Sequence, residues 1–195
     1  MKTKLAAIAM IAAASAATAA PEVYTMDPSH SQVAFSYGHG DFSTTYWILS
    51  GFEGEIVFDA QNPAASRVTT SIPVERLLTG WQERSDHVLK SGDFFDVEAN
   101  PTVRFESTGI EVTGDKTALI SGDVTINGVT VPVVLDAHMT AMTDQYPLPP
   151  FSGKPAIGVS ATTTLLRSDF DLGMFAPFVS DQVEVEISIE AMQLQ

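Results

Sequence analysis

Cysteine is absent from the 195 residues, which removes a disulfide framework, a thiolate metal site and a thiol nucleophile together. Stability must come from packing and backbone hydrogen bonds. Basic residues are scarce too, with 10 Lys+Arg against 24 Asp+Glu and a formal charge of -14, a balance that repels a phosphate backbone or an anionic lipid surface. Nucleic acid is not an expected partner. No self-similarity at the ~20 to 50-residue periods of solenoids and propellers is present either. What the chain does have is 45% hydrophobic residues at ordinary domain length, enough for one sizeable core.

Lys2 and Lys4 form a short basic end, Leu5 to Ala14 is apolar, and Ala17-Thr18-Ala19 supplies small residues at a cleavage position. Residues 1–20 are therefore expected to be a secretory signal peptide, with one domain over 21–195. As a membrane anchor the uncharged stretch from Leu5 to Ala20 is shorter than the roughly 20 residues a span requires. Export to the periplasm without a membrane anchor is the expectation.

From Gln182 onward, Val183, Val185, Ile187 and Ile189 alternate with Glu184, Glu186, Ser188 and Glu190, the period of a half-buried strand. The same period recurs in Val131, Val133, Leu135, Ala137 and Met139, in Ile157 to Leu165, and in Ala118, Ile120, Val124 and Ile126. Earlier strands are expected over Val33 to His39, Phe52 to Asp59, Arg67 to Ile72 and Thr102 to Val112, separated by turn formers such as Asn62-Pro63, Gly114-Asp115 and Asn127-Gly128. This makes about eight antiparallel strands. From Thr79 to Asp96 the alternation stops, and Thr79 with Gln82 has the spacing of a capping box, so one or two short helices are predicted there. The pattern is all-β, and it suits a sandwich or a closed barrel alike.

Chemistry-bearing groups are few. Of the histidines at 30, 39, 87 and 138, none pairs at metal-ligand spacing, so neither a metal nor another cofactor is expected. His39 shares the bulky face of Phe35 and Tyr37 and is the better pocket candidate; His138 falls on the polar face of its strand. Asp27-Pro28-Ser29-His30-Ser31 brings triad residue types together without the strained nucleophile turn of a hydrolase, and reads as a capped turn. A secreted hydrolase using His30 or His87 is the enzymatic alternative, and no catalytic residue is assigned. Phe94-Phe95 and the pair Phe170 and Phe175 lie outside the alternating strands, where the mouth of an apolar cavity would need them.

Several motifs occur in an order that resembles the YceI-like proteins. Tyr24-x-x-Asp27-x-x-His30-Ser31-x-Val33-x-Phe35, then His39 and Phe52-x-Gly54, resembles their opening. Arg84-x-x-His87-x-Leu89-x-Ser91-x-Asp93-Phe94-Phe95-Asp96, with Pro101, Phe105 and Ser107-Thr108, is similar to their central block. Gly122 to Val133, Arg167-Ser168-Asp169-Phe170 and Ser180-Asp181-x-Val183 resemble the later ones. The chain departs from the pattern at Asp41 and Trp47, where glycines are usual, at Asn127, where histidine is common, and at Asp171, where glycine is common.

The resemblance implies a lipocalin-like, eight-stranded antiparallel barrel with one or two short helices inserted around 79–96, exported in bacteria. Its elongated apolar interior would hold a polyisoprenoid or a fatty amphiphile, with no covalent chemistry. On that expectation the bulky inward residues are Phe35, Tyr37, Ile56, Phe58, Phe105, Ile126, Leu135 and Met139, with Phe94, Phe95, Phe170 and Phe175 near the ends. Arg84, His87 and Arg167 are the cations available to a headgroup, although Arg167 before Ser168-Asp169 equally suits a structural ion pair. An eight-stranded barrel either fills with side chains or holds one ligand. A filled barrel serving as an interaction module is thus the third reading; under each reading the oligomeric state is open, a dimer included.

Overall fold

The structure is a computed structural model that describes residues 20–194; the expected signal peptide lies, but for its last residue, outside them. Ten strands form among the described residues: β1 (Glu22–Met26), β2 (Gln32–His39), β3 (Ser43–Ser50), β4 (Glu53–Phe58), β5 (Arg67–Pro73), β6 (Thr102–Val112), β7 (Thr117–Ile126), β8 (Val129–Thr143), β9 (Ala156–Leu166) and β10 (Gln182–Met192). They make an eight-stave barrel because two staves are each built from two strands. β10 pairs antiparallel with β2 through Glu184–Ser36 to Ser188–Gln32, then with β1 through Ala191–Met26 and Met192–Thr25. β1 and β2 are one stave broken at residues 27–31. The return stave is β3 against β2 and β4 against β1, broken at Gly51 and Phe52. From β4 the order runs through β5, β6, β7, β8 and β9 to β10, and the β1–β10 pairing closes the ring.

Sequence alternation finds most of this and misses two strands. β1 is only five residues long, and β3 hides its period because Tyr46 and Ile48 on its outer face are apolar and exposed while Trp47 and Leu49 are buried. Two bulges shift the inward parity: one between Ser107 and Gly109 on β6, the other between Met139 and Ala141 on β8. Phe105 therefore faces inward before the first bulge and Ile110 after it; Met139 and Met142 do the same around the second.

One helix, α1 (Gln82–Lys90), lies between β5 and β6. The predicted capping box is not made. The N-cap is Trp81, in extended conformation without a side-chain cap, while Thr79 Oγ donates to the Trp81 carbonyl at 2.9 Å and lies 2.8 Å from Ser85 Oγ. Thr79 thus ties the approach to the first turn. Val88 is the helix's buried anchor, and an exposed Lys90–Asp86 pair at 2.7 Å crosses one turn. α1, the β2–β3 and β7–β8 turns and the long β9–β10 connection all gather at one end of the barrel, called here the helix end; the β4–β5, β6–β7 and β8–β9 connections form the other.

Two turn positions explain departures noted in the sequence. Asn127 has φ of 52° and precedes Gly128 at 79°, a hairpin turn that needs left-handed backbone. Asp171 has φ of 59° and caps a 3-10 turn over Arg167–Phe170. Asn and Asp tolerate that region best among residues with a Cβ.

Candidate functional site: an apolar tunnel

The barrel interior is not filled. A cavity of about 960 Å³ runs along it, lined by inward residues of strands β2 to β10 and by residues at both ends. The scale matches the upper range of small-molecule sites, about 300–1,000 Å³. Along the walls stand Phe35, Tyr37, Ile56, Phe58, Phe105, Ile126, Leu135 and Met139; at the helix end His39, Arg84, His87, Phe94, Phe95, Arg167, Phe170 and Phe175 surround the lumen. Every residue expected from the sequence to line the cavity or face a headgroup therefore borders this space. Sequence reasoning missed Leu49, which sits beside Trp47 on the unrecognised β3, and Leu172 and Val179, which irregular backbone brings inward. The alternation of Thr45, Trp47 and Leu49 was the available signal for the first of these.

Aromatic rings shape the helix end. Trp47 meets Phe35 edge-on at 5.7 Å and Tyr37 edge-on at 5.2 Å, so the tryptophan that departs from the family pattern is part of the wall. His87 stacks edge-on to Phe94 at 5.4 Å, and Phe94 leans on Phe175 at 6.3 Å. His39 meets Phe178 at 5.2 Å, and Phe178 approaches Phe42, whose ring is 84% exposed. Burial pushes the Tyr37 hydroxyl pKa up, while the charges of Arg84 and Arg167 draw it back.

The two arginines are used differently. Arg167 donates to four backbone carbonyls, those of Ser180, Leu172, Met174 and Val179, at 2.5 to 3.1 Å. No Arg167–Asp169 ion pair forms; Ser168 instead binds Asp181 through its amide at 2.8 Å and its hydroxyl at 2.6 Å. Arg167 thus fastens residues 171–181 across the helix end. Arg84 spends Nη2 on the Thr79 carbonyl, and its buried Nε has no partner.

Asp27, Ser29 and His30 lie outside this cavity, at the break between β1 and β2. There the Glu190 carbonyl accepts from the Asp27 amide at 2.8 Å and from Ser31 Oγ at 3.3 Å, while Ser31 Oγ accepts from the Glu190 amide at 3.2 Å in place of a strand partner. Asp27, 4% exposed, accepts from the Ser29 amide at 2.9 Å and hydroxyl at 2.7 Å and pairs with His30 Nδ1 at 2.7 Å. Ser29 Oγ is 3.0 Å from that same Nδ1. A triad uses the two ring nitrogens for different partners; here one nitrogen faces both, which is the geometry of a capped turn. Asp27, His30 and Glu190 also bring donor atoms within 4.8 Å of one another, but Glu190 accepts from Tyr146 Oη at 3.0 Å and the other two are hydrogen-bonded together.

A closed antiparallel barrel around an apolar tunnel, with its ionisable groups gathered at the rims, is a barrel binding protein of lipocalin-like architecture. Comparison with known proteins sharpens the class. A model of the YceI-like domain matches residues 24–191, and the chain belongs to this family. It is 36% identical over 195 residues to a UPF0312 protein of Ectopseudomonas mendocina, covering 99% of both chains. A UPF0312 protein of Pseudomonas aeruginosa is 35% identical over 196 residues, again with 99% of each covered. Among solved structures, Burkholderia cenocepacia BcnA superposes with a TM-score of 0.74 at 20% identity, over 85% of this chain and 99% of that one. A polyisoprenoid binding domain from Saccharophagus degradans gives 0.64 at 13% identity, over 87% and 98%.

Proposed function

We propose that the protein is an exported, non-enzymatic carrier or scavenger that sequesters a long-chain amphiphile, of polyisoprenoid or fatty type, in its barrel and works in the periplasm. The observation that carries this reading is the open lumen of about 960 Å³ with hydrocarbon walls. Each methylene buried there contributes roughly 0.8 kcal/mol, so ten buried carbons supply about 8 kcal/mol against an association cost of about 4 to 15 kcal/mol. A short tail therefore binds poorly, and a long, largely enclosed one binds well. The name of the Saccharophagus domain supports an isoprenoid as one such tail. Residues 1–20 would serve as the export signal and 21–195 as the barrel domain. An acidic exterior suits a soluble shuttle, because it keeps the loaded protein off anionic membranes.

The test is mass spectrometry of lipid extracted from gently purified protein. A long-chain species at near one-to-one stoichiometry is expected. Empty protein that also fails to take up added isoprenoid would overturn the reading in favour of an interaction module. Ester turnover lost in His30→Ala would favour the hydrolase instead.

A further inference from the structure

Among the described residues three buried polar side-chain atoms have no hydrogen-bond partner: Trp47 Nε1, Arg84 Nε and Ser91 Oγ. They are not scattered. Arg84 lies in α1, Ser91 directly follows it, and Trp47 is on the strand whose Ile48 pairs with Leu78 just ahead of that helix. Trp47 and Arg84 both line the cavity, and Trp47 is only 5% exposed. Folded proteins leave few buried donors unmade, because such a group loses its water and gains nothing. An indole N–H and a guanidinium N–H can only donate, so what completes them must be an acceptor.

Charge says which acceptor. The cavity is lined by Arg84, Arg104, Arg167 and Lys116 but by one carboxylate, Asp115, in a chain with 24 acidic and 10 basic residues. Asp115 adjoins Lys116 in the β6–β7 turn, at the far end, so the helix end keeps its positive charge without a facing carboxylate in the lining. Tyr37 stands edge-on to Trp47, and both line the same lumen as Arg84 and Arg167. A neutral carbonyl headgroup would satisfy the hydrogen bonds and leave the cationic charge uncompensated in apolar surroundings. An oxyanion satisfies both.

We propose that the ligand is an anionic amphiphile whose oxyanion headgroup, a carboxylate or a phosphate, is held at the helix end by Trp47 Nε1 and Arg84 Nε, with its tail running toward the β6–β7 turn. This rests on the carrier reading above. The experiment is calorimetric binding of chain-matched probes: a prenyl phosphate against the corresponding prenol, and a long-chain fatty acid against the alcohol of equal length. The wild-type protein is expected to bind each oxyanion at least about tenfold tighter than its alcohol, the worth of a charge-assisted hydrogen bond. Which oxyanion binds tighter identifies the source of the headgroup. In Trp47→Phe and in Arg84→Gln that advantage shrinks by about tenfold while the alcohols bind as before, which also shows that the variants fold. Equal binding of oxyanion and alcohol to the wild type, or an advantage kept in both variants, overturns the headgroup assignment and leaves the carrier standing. Failure of every chain to bind the wild type sinks the carrier and, with it, this inference.

Discussion

The Phe105 ring on β6 lies over Gly122 on β7, so closely that a Cβ at Gly122 would overlap its outer carbons and approach the Glu106 carbonyl at 2.7 Å. Gly122 falls on the inward face between Ile120 and Val124, and the missing side chain lets a large ring lie along the wall instead of across the lumen. Gly122→Ala is expected to drive that ring into the tunnel or force the strands apart, costing about 1–3 kcal/mol. Chemical denaturation reads the stability, and a series of ligand chain lengths reads the lumen. The variant should reject the longest chains first; unchanged stability and unchanged chain-length selectivity would contradict the placement. Phe105→Asp, which puts a carboxylate on the same wall, should abolish uptake.

Gly54 makes a second close approach, between β4 and β5. Its φ is 153°, and a Cβ there would meet the Thr70 Cα at 2.8 Å and overlap the Thr69 carbonyl oxygen. Both obstacles are backbone, which cannot swing aside as a side-chain tip can. Gly54→Ala should lower stability by at least the 1–3 kcal/mol typical of a strained backbone position, about the difference between a well-folded and a marginal domain of this size. A melting temperature within about a degree of wild type would refute it.

How far the sequence went depended on whether a signal was local. Strands with one polar and one apolar face, such as β10 with its glutamates and β9 with its threonines, announce themselves by alternation. β3 did not, because Tyr46 and Ile48 occupy its solvent face, and so the strand that carries Trp47 went unrecognised. That eight expected strands are ten, spliced into eight staves, is a matter of pairing between the two ends of the domain, Glu184 with Ser36 and Met192 with Thr25, which no local period encodes. Side-chain partners were equally out of reach: the motif Arg167-Ser168-Asp169 suggests an ion pair, but the carbonyls that Arg167 holds are brought to it only by the path of residues 171–181.

That path makes Arg167 the subject of a third prediction. Four carbonyls converge on one guanidinium, which is more than a lysine can satisfy with three donors from a single point. Arg167→Lys should leave the barrel strands intact while freeing the connection that borders the cavity at the helix end. Hydrogen exchange should quicken at the Leu172 and Val179 amides and stay slow in β8 and β9. Equal exchange at these amides in both proteins would mean that the loop is held by its apolar contacts alone.

The turn at the break between β1 and β2 predicts a stability profile with two limbs. Asp27 is pushed up by burial but drawn further down by hydrogen bonds from His30 and Ser29, so its carboxyl titrates below the ordinary 3.8. His30 is raised above 6.5 by its bond to Asp27 and by that carboxylate's charge. The signs are opposite. The lowered Asp27 contributes stability above pH 3.8 that disappears as pH falls through its folded-state value; the raised His30 contributes stability below pH 6.5 that disappears as pH rises through its own. Both are present together only between those limits. The melting temperature of wild type minus that of His30→Gln should therefore be largest near about pH 5 and shrink on both sides. His30 is 58% exposed, so solvent screens the pair and the peak should be modest and weaken with added salt. A difference that does not vary from acid to alkaline pH would show that the histidine acts only by filling the turn, and that the Asp27–His30 charge pair contributes nothing to the fold.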